Sequence, residues 1–372
     1  MNITTNPEEN YEKLRLLLSP KLTVPLPKNE LVKKLITNIF TEEEAFLIGN
    51  GIKKGLRPTT IRRIRKRTGL PKKELKEKLK DMKGKGKIIK TGHFYILPGY
   101  LPGLFELYFT PARDDPERMK KAGEAHYALV ESGFHVEHMK GDYPLTRIIA
   151  ASKPVEQLIE IDKSLSVEHK VLPFEVLKKY LSKQKVFAVH PCSCRNAAEL
   201  SGNPCKRTDE NFCATVGLVA KHTLKEGVGK QVNLEELLEI LRKAEKAGLV
   251  HHSINIQKSS AYICQCCPCC CAALKPIYEL KDKSIIEVTN FIPQLDAELC
   301  KFCKTCIKKC PMEAISESDD NKIIIDLNNC IGCGVCAFNC PHDALKLKKN
   351  RNKKPIKGLL GIYRKLKKSG KK

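Results

Sequence analysis

The sequence predicts a multidomain α+β protein with three regions of different composition. Its 372 residues are enough chain for two or three separate hydrophobic cores. Residues 29–102 contain no cysteine and show helical periodicity followed by two short strand patterns. All eighteen cysteines follow residue 190, and eight of them form two closely spaced runs near the C-terminus. We therefore expect helices with a hairpin first, a cysteine-rich α/β region second and a small cysteine-clustered domain last.

The N-terminal segment, residues 1–28, is predicted to be a short helix at 9–18 followed by a proline-punctuated linker. The next domain, residues 29–102, holds apolar residues at helical spacing in three stretches: 31–40, 59–68 and 72–82. A hairpin of strands 88–90 and 93–97 follows, joined by Thr91 and Gly92. Three helices and a hairpin in this order resemble a winged helix-turn-helix domain.

Positive charge is concentrated in two blocks of the chain. The formal net charge is +25, while residues 53–90 alone carry +14 and residues 346–372 carry +13. Such blocks favour an acidic or polyanionic partner. The helix at 72–82 is rich in lysine and suits phosphate contacts, yet it lacks side chains typical of base reading. Nucleic-acid binding is therefore an alternative to a plain packing role for this domain.

The middle domain, residues 103–289, contains aromatic-rich residues Phe105–Phe109, which predict a strand. Helices are predicted at 115–133 and 173–184, and an apolar strand at 186–190 leads into the sequence H-P-C-S-C-R. A further helix at 234–247 begins with a capping box of Asn233 and Glu236 and ends at Gly248. A short buried strand, 249–250, follows it.

Ten cysteines of the middle domain exceed what one metal centre needs. They are Cys192, Cys194, Cys205, Cys213, Cys264, Cys266, Cys267, Cys269, Cys270 and Cys271. We interpret them as a third centre, a [4Fe-4S] cluster that draws on Cys192 and Cys194 with some of the others. Zinc is the alternative, because all-cysteine zinc sites accept varied spacing. The remaining thiols would serve a second centre, sulfide capture or thiol–disulfide exchange, and Arg195 would hydrogen-bond a cluster sulfur or an anionic substrate.

The C-terminal runs begin at Cys300 and Cys330, and each reads C-x2-C-x2-C-x3-C-P. This spacing binds [4Fe-4S] clusters, and the fourth cysteine of each run ligates the other cluster. The first cluster is therefore assigned to Cys300, Cys303, Cys306 and Cys340. The second is assigned to Cys330, Cys333, Cys336 and Cys310. Disulfides are disfavoured since the first ten residues show no signal peptide.

Residues 290–348 resemble the two-cluster bacterial ferredoxins through these two runs. The resemblance implies a pseudo-twofold α+β fold and a one-electron carrier, and segments 322–326 and 344–347 fit its short strands. With the C-x-C-R segment and the dense run I-C-Q-C-C-P-C-C-C, residues 30–345 resemble uncharacterised multi-cysteine ferredoxin-domain proteins of anaerobes. That group implies electron transfer and supplies no substrate. Pro268 stands where many of its members have glycine.

The two cluster loops differ in composition. The second has Gly332 and Gly334, which let the backbone approach a cluster closely, where the first has Phe302 and Thr305. The first loop is also flanked by Lys301, Lys304, Lys308 and Lys309. Because positive charge favours an added electron, we predict a higher reduction potential for the first cluster.

The basic tail, residues 349–372, predicts an amphipathic helix on an anionic membrane surface or an acidic partner, or else a solvated tail. Its apolar stripe would be Ile356, Leu359, Leu360, Ile362, Tyr363 and Leu366. No apolar run approaches the ~18 residues of a transmembrane helix. Many thiols without a secretion signal indicate a reducing cytoplasm.

These patterns together predict an iron–sulfur protein that relays single electrons to an acidic partner or to its own cysteine-rich region. One alternative is an oxidoreductase that reacts at the dense cysteines, although no dinucleotide loop, P-loop or flavin motif is present. The other is a redox-responsive nucleic-acid-binding regulator that uses the basic helices. A sensor needs only one cluster, so two or three favour the relay.

Overall fold

The computed structural model of the chain describes residues 6–20, 23–134, 136, 143–161, 175–257, 261–358, 361 and 364. The chain divides into two compact units. The first contains Met1–His138 and Pro191–Pro204, and the second contains Met139–His190 and Cys205–Lys372. The segment with Cys192 and Cys194 therefore belongs to the first unit, while the other sixteen cysteines belong to the second.

The described helices and strands are numbered in chain order. The helices are α1 (Pro7–Leu17), α2 (Glu30–Ile39), α3 (Glu42–Gly51), α4 (Ile61–Thr68), α5 (Lys72–Gly84), α6 (Phe105–Phe109), α7 (Pro116–Glu131), α8 (Ser152–Ile161), α9 (Leu177–Leu181), α10 (Ser193–Leu200), α11 (Gly217–Lys225), α12 (Leu234–Ala247), α13 (Leu274–Leu280), α14 (Thr305–Lys309) and α15 (Val335–Phe338). The strands are β1 (Thr59–Thr60), β2 (Ile89–Thr91), β3 (Phe94–Ile96), β4 (Thr146–Ile149), β5 (Phe187–His190), β6 (Cys213–Val216), β7 (Lys230–Val232), β8 (Val250–Ile254), β9 (Tyr262–Cys266), β10 (Ile286–Glu287), β11 (Phe291–Leu295), β12 (Ile315–Glu317), β13 (Ile323–Ile325) and β14 (Leu345–Lys349).

The first unit is mainly helical and carries one small antiparallel sheet of order β1-β3-β2. The predicted hairpin is the β2–β3 pair, and β1 joins the other side of β3 through Thr59 and Tyr95. Side-chain caps start two consecutive helices: Asn29 accepts from Val32 N–H for α2, and Thr41 forms a capping box with Glu44 for α3. Helix α3 was not predicted. The winged-helix interpretation of residues 29–102 stays a prediction.

The predicted strand at Phe105–Phe109 was wrong, because these residues form helix α6. Aromatic residues favour strands in general, but tertiary packing decides here. The helix places Phe105, Tyr108 and Phe109 at helical spacing, and all three are buried. The Phe105 ring stacks on the buried imidazole of His126 in α7, with 4.1 Å between ring centroids. A strand would send alternate rings to opposite faces and lose this contact.

The second unit is built on a seven-stranded sheet of order β10-β4-β8-β9-β6-β5-β7. Neighbouring strands are antiparallel except β10 and β4, which are parallel. Helix α12 covers the sheet with its buried Leu237, Leu238 and Leu241. Its predicted bounds are confirmed, since Asn233 and Glu236 cap its start and Gly248, at a φ of 87°, ends it.

The C-terminal part of the second unit contains two short antiparallel pairs, β11–β14 and β12–β13. It shares a hydrophobic core with the sheet region, in which Phe291 and Leu347 pack with Ala150 and Val155. A buried ion pair reinforces this junction, because Lys349 Nζ lies 3.1 Å from a Glu175 carboxylate oxygen. The C-terminal pairs and the sheet region therefore form one continuous body.

The described start of the predicted basic tail returns to the sheet region. Arg351 and Lys353 bind the carboxylate of Glu287 at 3.0 and 2.6 Å. Ile356 N–H donates to the Tyr143 hydroxyl at 2.8 Å. The remaining residues of the predicted apolar stripe lie outside the described residues. In the described ranges, no helix combines the length and the apolar character that crossing a membrane requires.

Candidate metal centres

The C-terminal cysteine runs are carried on connections between the short strand pairs. The first run follows β11, passes through α14 and reaches β12, while the second follows β13, passes through α15 and reaches β14. Because β11 pairs with β14 and β12 pairs with β13, the end of each run is brought beside the start of the other. This pairing places cysteines from both runs around the same spaces.

Two cavities lie between the runs. One is lined by Cys300, Cys303, Cys306 and Cys340. The other is lined by Cys310, Cys330, Cys333 and Cys336. The structure thus brings together the two sets of four that the sequence suggested, each with three thiols from one run and one from the other. A pocket walled by four thiols fits a [4Fe-4S] cluster, and the assignment of individual ligands stays a prediction.

The two loops adopt one backbone conformation despite their different composition. Phe302 and Lys304 in the first loop have φ values of 51° and 59°, and Gly332 and Gly334 in the second have 67° and 75°. These are left-handed conformations that glycine adopts without strain and other residues adopt at a cost. The conformation recurs because three thiols spaced by two residues must point to one side. Loop geometry is therefore common to both centres.

Backbone amides point toward sulfur at the second centre. Ala314 N–H donates to Cys310 Sγ at 3.3 Å, and Gly332 N–H donates to Cys330 Sγ at 3.4 Å. Burial raises the pKa of the Cys333 and Cys336 thiols, since charge is disfavoured away from water. Amide donors favour the thiolate form that cluster ligands need, and offset part of the cost of burial.

The first centre is more open to solvent. Cys303 is exposed, whereas the other centre has buried Cys310, Cys333 and Cys336. The hydroxyl of Thr305 lies 3.4 Å from Cys303 Sγ, and this hydrogen bond lowers the pKa of Cys303. Deeper in the same centre, burial raises the pKa of Cys306 to about 11. A partner molecule can therefore approach the first centre through its Cys303 side.

The second centre is fastened to the sheet region by hydrogen bonds to its loop carbonyls. Ala151 N–H, just after β4, donates to Cys333 O at 2.9 Å. The Thr289 hydroxyl donates to Gly332 O at 2.8 Å. Lys283 Nζ donates to Cys330 O at 3.2 Å, and an Arg207 N–H donates to Cys310 O at 3.0 Å. Four segments of the sheet region thus hold the carbonyls of this one centre.

The upstream cysteines of the second unit form two groups. In the first group, the sulfurs of Cys205, Cys267, Cys269 and Cys270 all lie within 4.8 Å of one another. Hydrogen bonds with the other three thiols, of which that with Cys267 has the largest effect, lower the pKa of Cys205. Cys267 and Cys270 are buried, and Cys205 and Cys269 are half-buried. We name this set the four-thiol group.

The second upstream group adds a residue that the sequence interpretation missed. A ring nitrogen of His252 and the sulfurs of Cys264 and Cys266 lie within 4.8 Å of one another. Hydrogen bonds led by the Cys213 thiol lower the pKa of Cys264. Cys271 Sγ lies 3.1 Å from Cys266 Sγ. No local sequence pattern identifies His252, because it joins this group only through strand pairing. The pairing of β8 with β9 places His252 opposite Cys264.

Cys192 and Cys194 lie at the start of α10 in the first unit. A centre that joins them with the cysteines of the second unit stays a prediction. Arg195, beside them, is buried. Of the histidines given no role, His126 is buried with its Nδ1 at 2.6 Å from the Tyr100 hydroxyl, and burial lowers its pKa to about 3. It packs in the core of its unit, and His135 and His138 lie outside the described residues.

Comparison with known proteins matches residues 299–345 to the family described as the 4Fe-4S dicluster domain. The dihydromethanopterin reductase (acceptor) of Methanosarcina mazei is 46% identical over 54 residues, 14% of this chain and 23% of that protein. A tetrathionate reductase subunit of Salmonella typhimurium is 33% identical over 69 residues, 18% of this chain and 26% of that protein. The pyruvate synthase subunit PorD of Methanothermobacter marburgensis is 38% identical over 62 residues, 17% of this chain and 72% of that protein. The chain thus spans about a quarter of the first two relatives and most of the third.

Proposed function

Because the chain belongs, through residues 299–345, to the 4Fe-4S dicluster ferredoxins, we propose that it relays single electrons between a redox partner and its own cysteine-rich region. A [4Fe-4S] cluster, when bound, supplies one-electron transfer. Two of the relatives are named as subunits of a reductase and of a synthase, which supports a role beside a partner protein. The chain's own residues would decide which centre meets that partner.

The observation that carries the proposal is the unequal burial of the two centres. The first presents the exposed Cys303 to solvent. In the second, Cys310, Cys333 and Cys336 are buried, and Ala151 and Arg207 of the sheet region hold the carbonyls of Cys333 and Cys310. An open centre suits exchange with another protein, and a closed one suits transfer inward. The direction of relay would therefore run between the Cys303 side and the sheet region.

The chemistry of the partner is suggested by charge around the open centre. Lys301 and Lys308 are exposed there, and Lys304 is half-buried. Positive groups beside an electron-transfer surface favour an acidic partner and accelerate its encounter, with an effect that falls as salt rises. We therefore infer an acidic redox protein as the donor or acceptor at the first centre.

The test is a stopped-flow measurement of electron transfer from a reduced, acidic two-cluster ferredoxin to the full chain under anaerobic conditions. A double variant, Lys301→Gln with Lys308→Gln, should lower the second-order rate constant about tenfold at low ionic strength. Its matched control is Lys120→Gln with Lys121→Gln, which removes two exposed lysines of α7 in the other unit. The control should keep the original rate, and dithionite should reduce all three proteins equally.

The proposal would be abandoned if both double variants behaved alike at every salt concentration. It would also be abandoned if the isolated chain turned over a small acceptor at high rate with no partner, which would favour the oxidoreductase. In both experiments the iron content is measured beforehand, so that only protein that carries its clusters is compared.

The exposed basic face of α4 favours a second candidate function, a regulator that binds nucleic acid. Arg62, Arg63 and Arg65 are exposed on this helix, and α5 adds the exposed Lys72 and Lys73. Such a face suits phosphate contacts whose affinity falls steeply with salt. Duplex binding that changes at least tenfold between oxidised and reduced protein would favour the regulator over the relay. Binding that is independent of redox state would leave the relay as the function.

A further inference from the structure

The four-thiol group differs from a cluster pocket in the spacing of its sulfurs. Cys205 Sγ lies 3.7 Å from Cys267 Sγ and 3.8 Å from Cys269 Sγ, and Cys269 Sγ lies 3.7 Å from Cys270 Sγ. Each of these distances is a direct sulfur–sulfur contact. The group therefore encloses the space of a single atom.

These distances match the edge of a tetrahedron around one metal ion. A thiolate binds Zn²⁺ at about 2.3 Å, so four thiolates in tetrahedral arrangement stand about 3.8 Å apart. In a [4Fe-4S] cluster each thiolate binds a different iron, and the four sulfurs must stand further apart. The same chain illustrates the contrast: in the described ranges, no three ferredoxin-run sulfurs gather within 4.8 Å, and they line cavities instead.

We propose that Cys205, Cys267, Cys269 and Cys270 bind one divalent, thiophilic metal ion, zinc or ferrous iron, in place of a third [4Fe-4S] cluster. Binding forms four metal–sulfur bonds and releases the thiol protons to solvent, and no electron is transferred in that step. The proposal bears on the electron relay in one respect, since ferrous iron at this centre can exchange an electron and zinc cannot.

The local fold supports a preformed site. The dense run turns tightly, because Cys271 N–H donates to Cys267 O at 3.2 Å and Lys275 N–H donates to Cys271 O at 2.9 Å on entering α13. This turn sends Cys267, Cys269 and Cys270 to one side, while Cys271 contacts Cys266 of the second group. Structural zinc sites commonly take ligands that lie close together in sequence and join them to ligands from a distant segment, as Cys267, Cys269 and Cys270 are joined here to Cys205.

A closed shell of four thiolates excludes one class of chemistry. Catalytic zinc keeps an open position for water or substrate, and a four-cysteine site has none. The ion would therefore fix structure or, as iron, exchange an electron, and it would not activate water. This separates the four-thiol group from the Lewis-acid sites of hydrolases.

The position of Cys205 indicates what the ion would hold in place. Two residues later, the Arg207 guanidinium donates to Lys309 O at 3.4 Å and to Cys310 O at 3.0 Å. Cys310 lines the second ferredoxin cavity. An ion at Cys205 would thus anchor the loop that supports this thiol.

The experiment is metal and sulfide analysis of anaerobically purified full chain, with X-ray absorption at the zinc and iron edges. A Cys269→Ser variant should contain one metal ion fewer than the original chain and the same acid-labile sulfide. Cys192→Ser, the matched control from outside the group, should keep that ion. Each metal count is compared between a variant and the original chain. Metal bound by the second upstream group contributes equally to both and does not affect the difference. Cobalt loading should give the visible spectrum of a tetrahedral cobalt thiolate, which Cys269→Ser lacks.

Spectroscopy on the original chain covers the case in which Cys269→Ser fails to fold. If the ion is zinc, the zinc edge should show sulfur neighbours at about 2.3 Å and no metal–metal scattering. If the ion is ferrous iron, loading the original chain with cobalt should give the visible spectrum of a tetrahedral cobalt thiolate, and this result does not need the variant. Loss of about four irons and four sulfides in Cys269→Ser or Cys192→Ser would overturn the proposal in favour of a cluster. Absence of a cobalt spectrum together with no metal beyond the ferredoxin irons would overturn it as well.

Discussion

The two ferredoxin loops fold alike and lie in different surroundings. In the first, the left-handed positions are occupied by Phe302 and Lys304, and the neighbouring Cys303 is exposed. In the second, a Cβ on Gly332 would lie 2.2 Å from both Phe291 O and the Thr289 hydroxyl. Glycine is therefore required there by the contact with the sheet region as well as by the backbone angle. Ligand spacing sets the loop, and the surroundings set access and charge at each centre.

Among the variants that distinguish the two loops, Gly332→Ala should have the largest effect on stability and iron content. The added methyl group meets a backbone carbonyl that cannot move without shifting β11, and alanine is strained at a φ of 67°. We expect the free energy of unfolding to fall by about 3 kcal/mol and iron content to fall by about half. Iron analysis and urea unfolding of anaerobic protein measure these changes.

The matched control is Phe302→Ala, since this position of the first loop already holds a side chain at a φ of 51°. Iron content should be unchanged in this variant. If Gly332→Ala retained full iron content and the original stability, the contact with Phe291 and Thr289 would not be what distinguishes the loops.

A second test compares the reduction potentials of the two clusters. The first loop is flanked by Lys301, Lys304 and Lys308. The second, whose carbonyls accept from Lys283 and Arg207, is more buried, which disfavours added charge. Two exposed lysines that each contribute about 0.5–1 kcal/mol would separate the potentials by roughly 40–90 mV, with the first cluster higher. Redox-titrated electron paramagnetic resonance on variants that each keep one cluster gives the order. Equal or reversed potentials would show that burial and charge do not control the difference.

Much of the fold was predictable where the signals are local. Helix α12 was placed to the residue because its capping box and its terminal glycine lie next to it in sequence. Helix α6 was missed because its aromatic residues favour a strand in isolation. The contact of Phe105 with His126 of α7, which favours the helix, lies far away in sequence. The order of the seven-stranded sheet depends on pairings between distant segments, such as β4 with β8 and β10, and no local pattern specifies them.

The candidate sites also differ in how far local sequence patterns predict them. The ferredoxin cysteines were grouped from spacing alone, because the ligands of one cluster lie mostly on one short loop. The upstream cysteines were not, since Cys266 and Cys267 are adjacent in sequence and contribute to different groups. Which group each cysteine joins depends on where β9 ends and the turn begins. It also depends on the position of Cys205, which is distant in sequence. His252 enters only through strand pairing.

The smallest and most specific test uses the ion pair between Lys304 and Glu317 beside the first centre. Lys304→Gln removes a positive charge and should lower the potential of the first cluster, whereas Glu317→Gln removes the offsetting negative charge and should raise it. Each change should be about 10–40 mV at low salt, because both side chains are partly exposed and therefore screened. The second cluster, titrated in the same samples, serves as the internal control and should stay constant. Shifts of one sign in both variants would mean that a structural change in the loop, and not its charge, sets the potential.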